Sequence, residues 1–304
     1  MSKFKNIFYP ACVFFAGILW GMSGLFVRTL ESAGCSMFEI CFFRMVSASL
    51  ILTIVFAIVK PSIFKIKLKD IWIFACAGIL SIYGTSFTYF TAIEKSSMSF
   101  ACIMMYTAPI FVAIFARVLF KEKITPLKLV CLIITFIGCI LCAYKKGGFS
   151  AEIPVILIGL ASGVTYASYT IFSRIAINKG YESETILCYS MIFSALGSLL
   201  TVPYGDVVNH ISNGSVNPLT ILGLGVLVTA LPYLAYTVGL KGVDSGKASV
   251  ISCVEIVSAT LLGFIAFSET PQIVAYVGMA LVFVGVVLMN VNFKKKDDKS
   301  LSLQ

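Results

Sequence analysis

Charge is scarce in this sequence, and histidine is almost missing. Only 12% of the 304 residues are charged, and His210 is the single histidine. Soluble domains carry roughly a quarter charged residues, so a water-soluble fold is excluded. No glycine-rich nucleotide-binding loop, zinc-ligand cluster or nucleophile elbow with a histidine partner occurs. ATP-driven pumping and hydrolytic catalysis therefore have no support: the chain is not expected to be an enzyme, and no cofactor is expected. With its one histidine in the 205–217 loop, neither a histidine relay nor a metal site is expected.

Apolar residues take the place of charge, at 59% of the chain. They fall in stretches of about 20, long enough to cross a hydrocarbon core of roughly 30 Å as helices. Strands are excluded, because an open sheet edge in lipid leaves backbone groups without partners. The expected fold class is an all-α polytopic membrane protein with ten spans: 8–28, 37–59, 71–92, 97–119, 126–144, 153–174, 184–204, 218–240, 247–267 and 272–292. The first span leads straight into others and lacks a small-residue cleavage site, so it does not read as a signal peptide.

Lysine and arginine set the orientation. With the N-terminus inside, 17 of them fall on the cytoplasmic side and four (Arg28, Lys95, Lys145, Lys146) outside, with Arg44 and Arg117 within spans. Both termini are then cytoplasmic, and the +9 net charge expresses this bias. The loops are too short for a nucleic-acid reader. The expected partners are the lipid bilayer and a small-molecule substrate, with no nucleic acid and a monomer or homodimer as the assembly. Nine of the ten cysteines lie in spans and only Cys35 in an outer loop, a pattern of packing residues rather than disulfides.

The chain is written twice. At a shift of 147, Cys41 meets Cys188, Gly78 meets Gly225, Tyr89 meets Tyr236, and Phe120-Lys121-Glu122 meets Phe267-Ser268-Glu269. At 146, Gly17, Phe26 and Arg28 meet Gly163, Phe172 and Arg174. The repeats are expected at 1–146 and 147–293, with 294–304 as a cytoplasmic tail. Each has five spans, an odd number, so the second enters the membrane inverted. Inverted repeats of this kind occur in secondary transporters, where the site lies near the midplane between the halves.

Three stretches carry a family resemblance: GILWGMSGLFVR (17–28), YTAPIFVAIFARVLFKEKIT (106–125) and CVEIVSATLLGFIAFSETP (253–271). They resemble the first helix, the end of the fourth helix and its second-repeat counterpart in EamA-type permeases of the drug/metabolite transporter superfamily. The resemblance covers nearly the whole chain. It implies import or export of small metabolites without an ATPase domain. At Ile256 the chain departs from the proline common in that family.

Glu255 is the main candidate for transport chemistry. It is the ninth residue of its span, roughly 13 Å deep. A charged carboxylate there costs at least about 2.5 kcal/mol, so it must face a cavity, find a partner or take up a proton. It reads as a proton-coupling or cation-binding group, or else as an acid locking two helices. Arg44, seven residues past the start of the second span, meets either a substrate carboxylate or a structural partner. Trp20, Tyr83, Tyr89, Tyr106, Tyr166, Tyr233 and Tyr236 are candidate cavity aromatics, suited to a cation by their π faces. Pro109 and Pro232 are hinges or tolerated kinks. Glu122 and Glu269 read as gate or helix-end residues, Glu122 pairing with the adjacent Lys121 and Lys123. Arg28 and Arg174 read as interfacial anchors and Arg117 as a snorkelling side chain.

The expected function is secondary active transport in the cell membrane by alternating access, proton-coupled or by exchange. Amino-acid or metabolite export leads, since an acid and a base at one cavity suit a zwitterion. The alternatives are an organic-cation carrier, a nucleotide-sugar or lipid-linked substrate carrier, and, from another class, a channel or structural membrane partner.

Overall fold

A computed structural model describes residues 2–144, 152–268 and 271–290. These residues are helical with no strand. The main helices are α1 (Ile7–Ser32), α2 (Met37–Val59), α3 (Leu68–Lys95), α4 (Phe100–Phe120), α5 (Pro126–Ala143), α6 (Ile153–Asn178), α7 (Ser183–Ser198), α8 (Pro218–Gly239), α9 (Ser245–Phe267) and α10 (Ile273–Asn290). Eight of these are long and apolar enough to cross a membrane; α7 and α10 are the shorter pair. Their outer faces suit lipid: Ile58, Ile265 and Ile273 are 77%, 73% and 84% exposed.

The seventh expected span, 184–204, stops early. α7 ends at Ser198, and a separate helix, Tyr204–Ser212, occupies much of the stretch expected to be a loop. Pro203 explains the break. It has no N–H to donate and drives Val202 out of the helical region. Elsewhere side chains cap the starts. Ser36 and Glu39 form a reciprocal capping box on α2, and Thr125 Oγ1 accepts from the Lys128 N–H at 3.2 Å on α5.

α4 and α9 are discontinuous in the same way. The pieces along α4 are Met98–Met105, which begins just ahead of its apolar run, and Ala108–Phe120; those of α9 are Ser245–Ser252 and Val254–Phe267. Shifted by 147, the first break falls on the second. Both helices also end in a left-handed residue, Lys121 (φ 57°) and Ser268 (φ 53°), again 147 apart. Wide π-type turns interrupt α3 at Cys76–Tyr83 and α8 at Val226–Ala230, and their last residues differ by the same shift. Backbone irregularity is thus duplicated together with sequence.

Pro109 is the second residue of the second half of α4, whereas Ile256 stands at its counterpart in α9. The break in α9 therefore does not need proline. The Cys253 N–H reaches back to Val250 at 3.2 Å, and the Ile256 N–H to Cys253 at 3.2 Å, so three-residue bonds tighten the chain on both sides of the turn. In α4 the Thr107 hydroxyl bonds the Met104 carbonyl at 2.6 Å, competing with the regular ladder.

α1 packs along α8 and α9, α4 packs on α6 and α9, α3 lies between α6 and α7, and α5 pairs with α10. The α1–α9 approach depends on Gly17 and Gly21. A Cβ on Gly21 would come within 2.7 Å of the Glu255 carbonyl oxygen, and one on Gly17 within 2.9 Å of that of Ser252. This contact places Trp20 beside the break in α9.

Candidate functional site

The break in α9 makes Glu255 the second residue of a new half-helix, Val254–Phe267. The start of a helix carries partial positive charge, which favours a carboxylate at this point. Glu255 Oε2 accepts a hydrogen bond of 3.0 Å from the Tyr166 hydroxyl of α6. The side chain is half-buried, and Tyr166, its hydrogen-bond partner, lines a cavity.

Aromatic rings surround this carboxylate. The Trp20 ring centre is 5.0 Å from that of Tyr233, 5.4 Å from Tyr236 and 6.4 Å from Tyr166. Tyr169 meets Tyr233 edge to face at 4.8 Å. Two hydroxyls of the group are engaged, Tyr169 with Thr237 at 2.8 Å and Tyr236 with Thr170 at 2.7 Å. Trp20 Nε1 is buried without an acceptor. An N–H left in that state is unusual in a native interior, and here it belongs to a ring that lines a cavity.

The cavity is small, with about 20 Å³ of room for the centre of a water molecule. That suffices for one or two waters. A metabolite fits only if the helices part.

Arg44 of α2 is half-buried, and its Nε donates to Thr229 Oγ1 at 3.0 Å. Thr229 lies in the wide turn of α8, and its own hydroxyl bonds the Leu224 carbonyl at 2.8 Å. Arg44 and Glu255 act electrostatically on each other, and both act on Tyr233. Among the described residues no ion pair within 4.0 Å joins them.

Trp20, Tyr106, Tyr166, Tyr233 and Tyr236 share this cavity, together with Pro109. Two aromatics expected with them do not line the cavity. Tyr83 donates to Thr201 at 2.9 Å, and Tyr89 contacts Cys102 Sγ at 3.2 Å while lying close enough to Glu255 to interact with it electrostatically. Both prolines sit in the first turn of a half-helix, Pro109 after the break in α4 and Pro232 after the wide turn of α8. That position needs no proline N–H.

Glu122 does not pair with its sequence neighbours as expected. It reaches the start of α9, accepting from the Ser245 N–H at 2.9 Å and the Gly246 N–H at 3.4 Å, with Lys128 at 3.8 Å. A residue of the first half of the chain thereby caps a helix of the second half. Glu269 lies outside the described residues. Arg174 is no simple interfacial anchor: it donates to the Val243 carbonyl and to Ser245 Oγ, beside that same helix start. The Arg28 guanidinium lies 4.3 Å from the centre of the Phe267 ring, and Arg117 is exposed.

Tyr169, Thr170, Ser249, Ser252 and Cys253 also line the cavity and were not singled out from sequence. A signal was present. Tyr169 follows Tyr166 by three residues, and Ser249, Ser252 and Cys253 recur at helical spacing, so each set shares a helix face.

The sequence profile of the EamA-like transporter family matches residues 8–144 and, a second time, residues 153–291. An uncharacterized transporter of Archaeoglobus fulgidus is 29% identical over 203 residues, which are 66% of this chain and 70% of that protein. The uncharacterized inner membrane transporter YicL of Salmonella typhimurium is 25% identical over 293 residues, 93% of this chain and 95% of YicL. A crystal structure with 21% identity superposes with a TM-score of 0.75 over 92% of this chain and 95% of the other, which shows a shared fold.

Proposed function

The chain belongs to the EamA-like transporter family, and from that premise we propose that it is an alternating-access carrier for small amphipathic metabolites bearing an amino group, amino acids foremost. The family places it among multi-pass membrane transporters rather than enzymes. The carrying observation is the meeting of Glu255, at the start of a half-helix, with the rings of Trp20, Tyr166, Tyr233 and Tyr236. A carboxylate beside π faces attracts an ammonium group twice, by charge and by ring quadrupole. The same carboxylate accepts a proton, so proton and cargo compete for one group, which is the basis of exchange.

The proposal includes the wider plan. All ten helices cross the inner or plasma membrane as two inverted five-helix repeats, with boundaries near 146 and 293 and both termini in the cytoplasm. The direction is export. Arg44 recruits the carboxylate of an amino acid once the helices part, exchanging its bond to Thr229 for the cargo.

The test is flux in proteoliposomes under an imposed pH gradient. Wild-type protein should show saturable flux accelerated by substrate on the opposite side, and Glu255→Gln should bring pH-driven flux to background while the protein remains folded. Retention of wild-type pH dependence in that variant refutes the role of Glu255. A second reading, transport of organic cations without a carboxylate, is favoured by the existing Arg44–Thr229 bond. Arg44→Gln separates the two. Losing a hydrogen bond to a charged group costs about 1.5–3 kcal/mol, or roughly 10- to 100-fold in affinity. A loss of that size confined to amino acids supports the first reading, and equal losses for amines and amino acids count against ligation by Arg44.

A further inference from the structure

Away from the central cavity, three side chains remote in sequence converge at one end of the bundle: Cys35, Glu39 and His210. Cys35 lies in the turn between α1 and α2, Glu39 in the first turn of α2, and His210 on the helix Tyr204–Ser212. Their donor atoms lie within 4.8 Å of one another. Cys35 is 5% exposed and Glu39 2%.

The local backbone builds this arrangement. Gly34 adopts φ +91°, and the Cys35 N–H reaches back to Leu30 at 3.1 Å, closing α1 and turning Cys35 inward. Ser36 then engages one oxygen of Glu39, Oε2, through both its N–H and its hydroxyl, each at 2.8 Å. The other oxygen, Oε1, is buried and has no hydrogen-bond donor. It points at His210 Nε2, 3.6 Å away, which is too far for a hydrogen bond. His210 Nδ1 is held by Ser215 Oγ at 2.8 Å, which orients Nε2 toward the carboxylate.

We propose that Cys35 Sγ, Glu39 Oε1 and His210 Nε2 form a binding site for a zinc-class divalent cation, with water or a small anion as fourth ligand. A thiolate, an imidazole and a carboxylate form a donor set zinc accepts in tetrahedral geometry. In such a site the ligand atoms sit roughly 3.3–3.6 Å apart, so the histidine–glutamate pair already has a fitting separation and the cysteine needs only a small approach. The Nδ1–Ser215 bond is the outer-shell support that metal-bound histidines commonly have. The buried oxygen without a donor is the strongest argument. An ordinary capping box leaves its second carboxylate oxygen in water, whereas this one faces two further ligands inside the protein. A cation there ties the α1–α2 turn to the α7–α8 connection.

The experiment uses full-length protein purified in detergent and stripped with a chelator. Cobalt(II) titration should give one equivalent per chain, with sulfur-to-cobalt charge transfer and tetrahedral d–d bands, and zinc should raise the unfolding midpoint. Cys35→Ser should lose the charge-transfer band, and His210→Gln should weaken cobalt affinity at least tenfold. Cys12→Ser, a control in α1, should behave as wild type. If Cys35→Ser does not fold, His210→Gln decides by itself, since His210 is the most accessible of the three. The absence of a cobalt band and of a zinc-induced shift in wild type, or unchanged cobalt binding in His210→Gln, overturns the proposal.

Discussion

α4 and α9 invite comparison. Their half-helices begin and end 146 or 147 residues apart, and both close on a left-handed residue. Yet Ala108 opens one second half, while Glu255 holds the corresponding place in the other. Ala108 is 1% exposed and packs with Val112 and Ala167. Glu255 bonds to Tyr166 and stays half-buried beside the cavity, whose wall Ala108 itself helps to form. The shared part of the two helices is backbone, which builds a cavity between repeats. The unshared part is one carboxylate, bonded to a tyrosine of the cavity lining. Duplication explains the scaffold, and the proposed chemistry falls where the repeats depart from it.

Moving the acid tests this comparison most severely. Ala108→Glu should destabilise the protein by about 3 kcal/mol, the scale for a charged side chain in mid-membrane, read as a lower unfolding midpoint in detergent. Combined with Glu255→Ala, it should not restore pH-driven flux, because the acid would then enter the cavity from α4 instead of standing at the start of the α9 half-helix. Recovery of flux in the double variant would show that the repeats are interchangeable.

A smaller effect is expected where the two halves of the chain meet. Glu122→Ala removes the cap from the start of α9 and should lower stability by about 0.5–2 kcal/mol. Glu122→Gln retains an acceptor and should recover part of that loss. Equal midpoints for all three proteins would mean that water replaces the cap at no cost.

The smallest effect lies at the surface. Hydrogen bonds from Lys60 to Glu182 and Glu184 hold its ammonium above the ordinary lysine range. The folded value is the raised one, so the contribution is fully present below the ordinary value and is lost as pH rises through the raised one. Exposed pairs of this kind are weak and salt-sensitive. Lys60→Met should therefore change the midpoint only slightly at neutral pH, and the difference should vanish at high salt or strongly alkaline pH. A large salt-independent loss would reveal packing by the lysine stem.

Much of this was legible because membrane physics writes itself into sequence. The apolar lengths, the lysine bias, the 147-residue shift and the lone mid-span Glu255 all follow from local composition. The break in α9 was not legible, since proline is its usual marker and Ile256 stands there instead. The cap from Glu122 to Ser245 spans 123 residues, and charged neighbours at Lys121 and Lys123 offered a nearer but incorrect partner. Tyr169 was overlooked although its spacing from Tyr166 puts both on one face. The shortening of α7 could have been read from Pro203, which lay inside the seventh expected span.

The bond between Tyr166 and Glu255 also bears on leakage. A carrier that must return without cargo risks presenting a naked charge to a low-dielectric path. If Glu255 has the proposed role, the tyrosine would act as an internal stand-in, giving the carboxylate a donor whenever neither proton nor amine is present. An incoming ligand would then have to outcompete a neighbour already in place, and discrimination would begin as a displacement reaction within the protein.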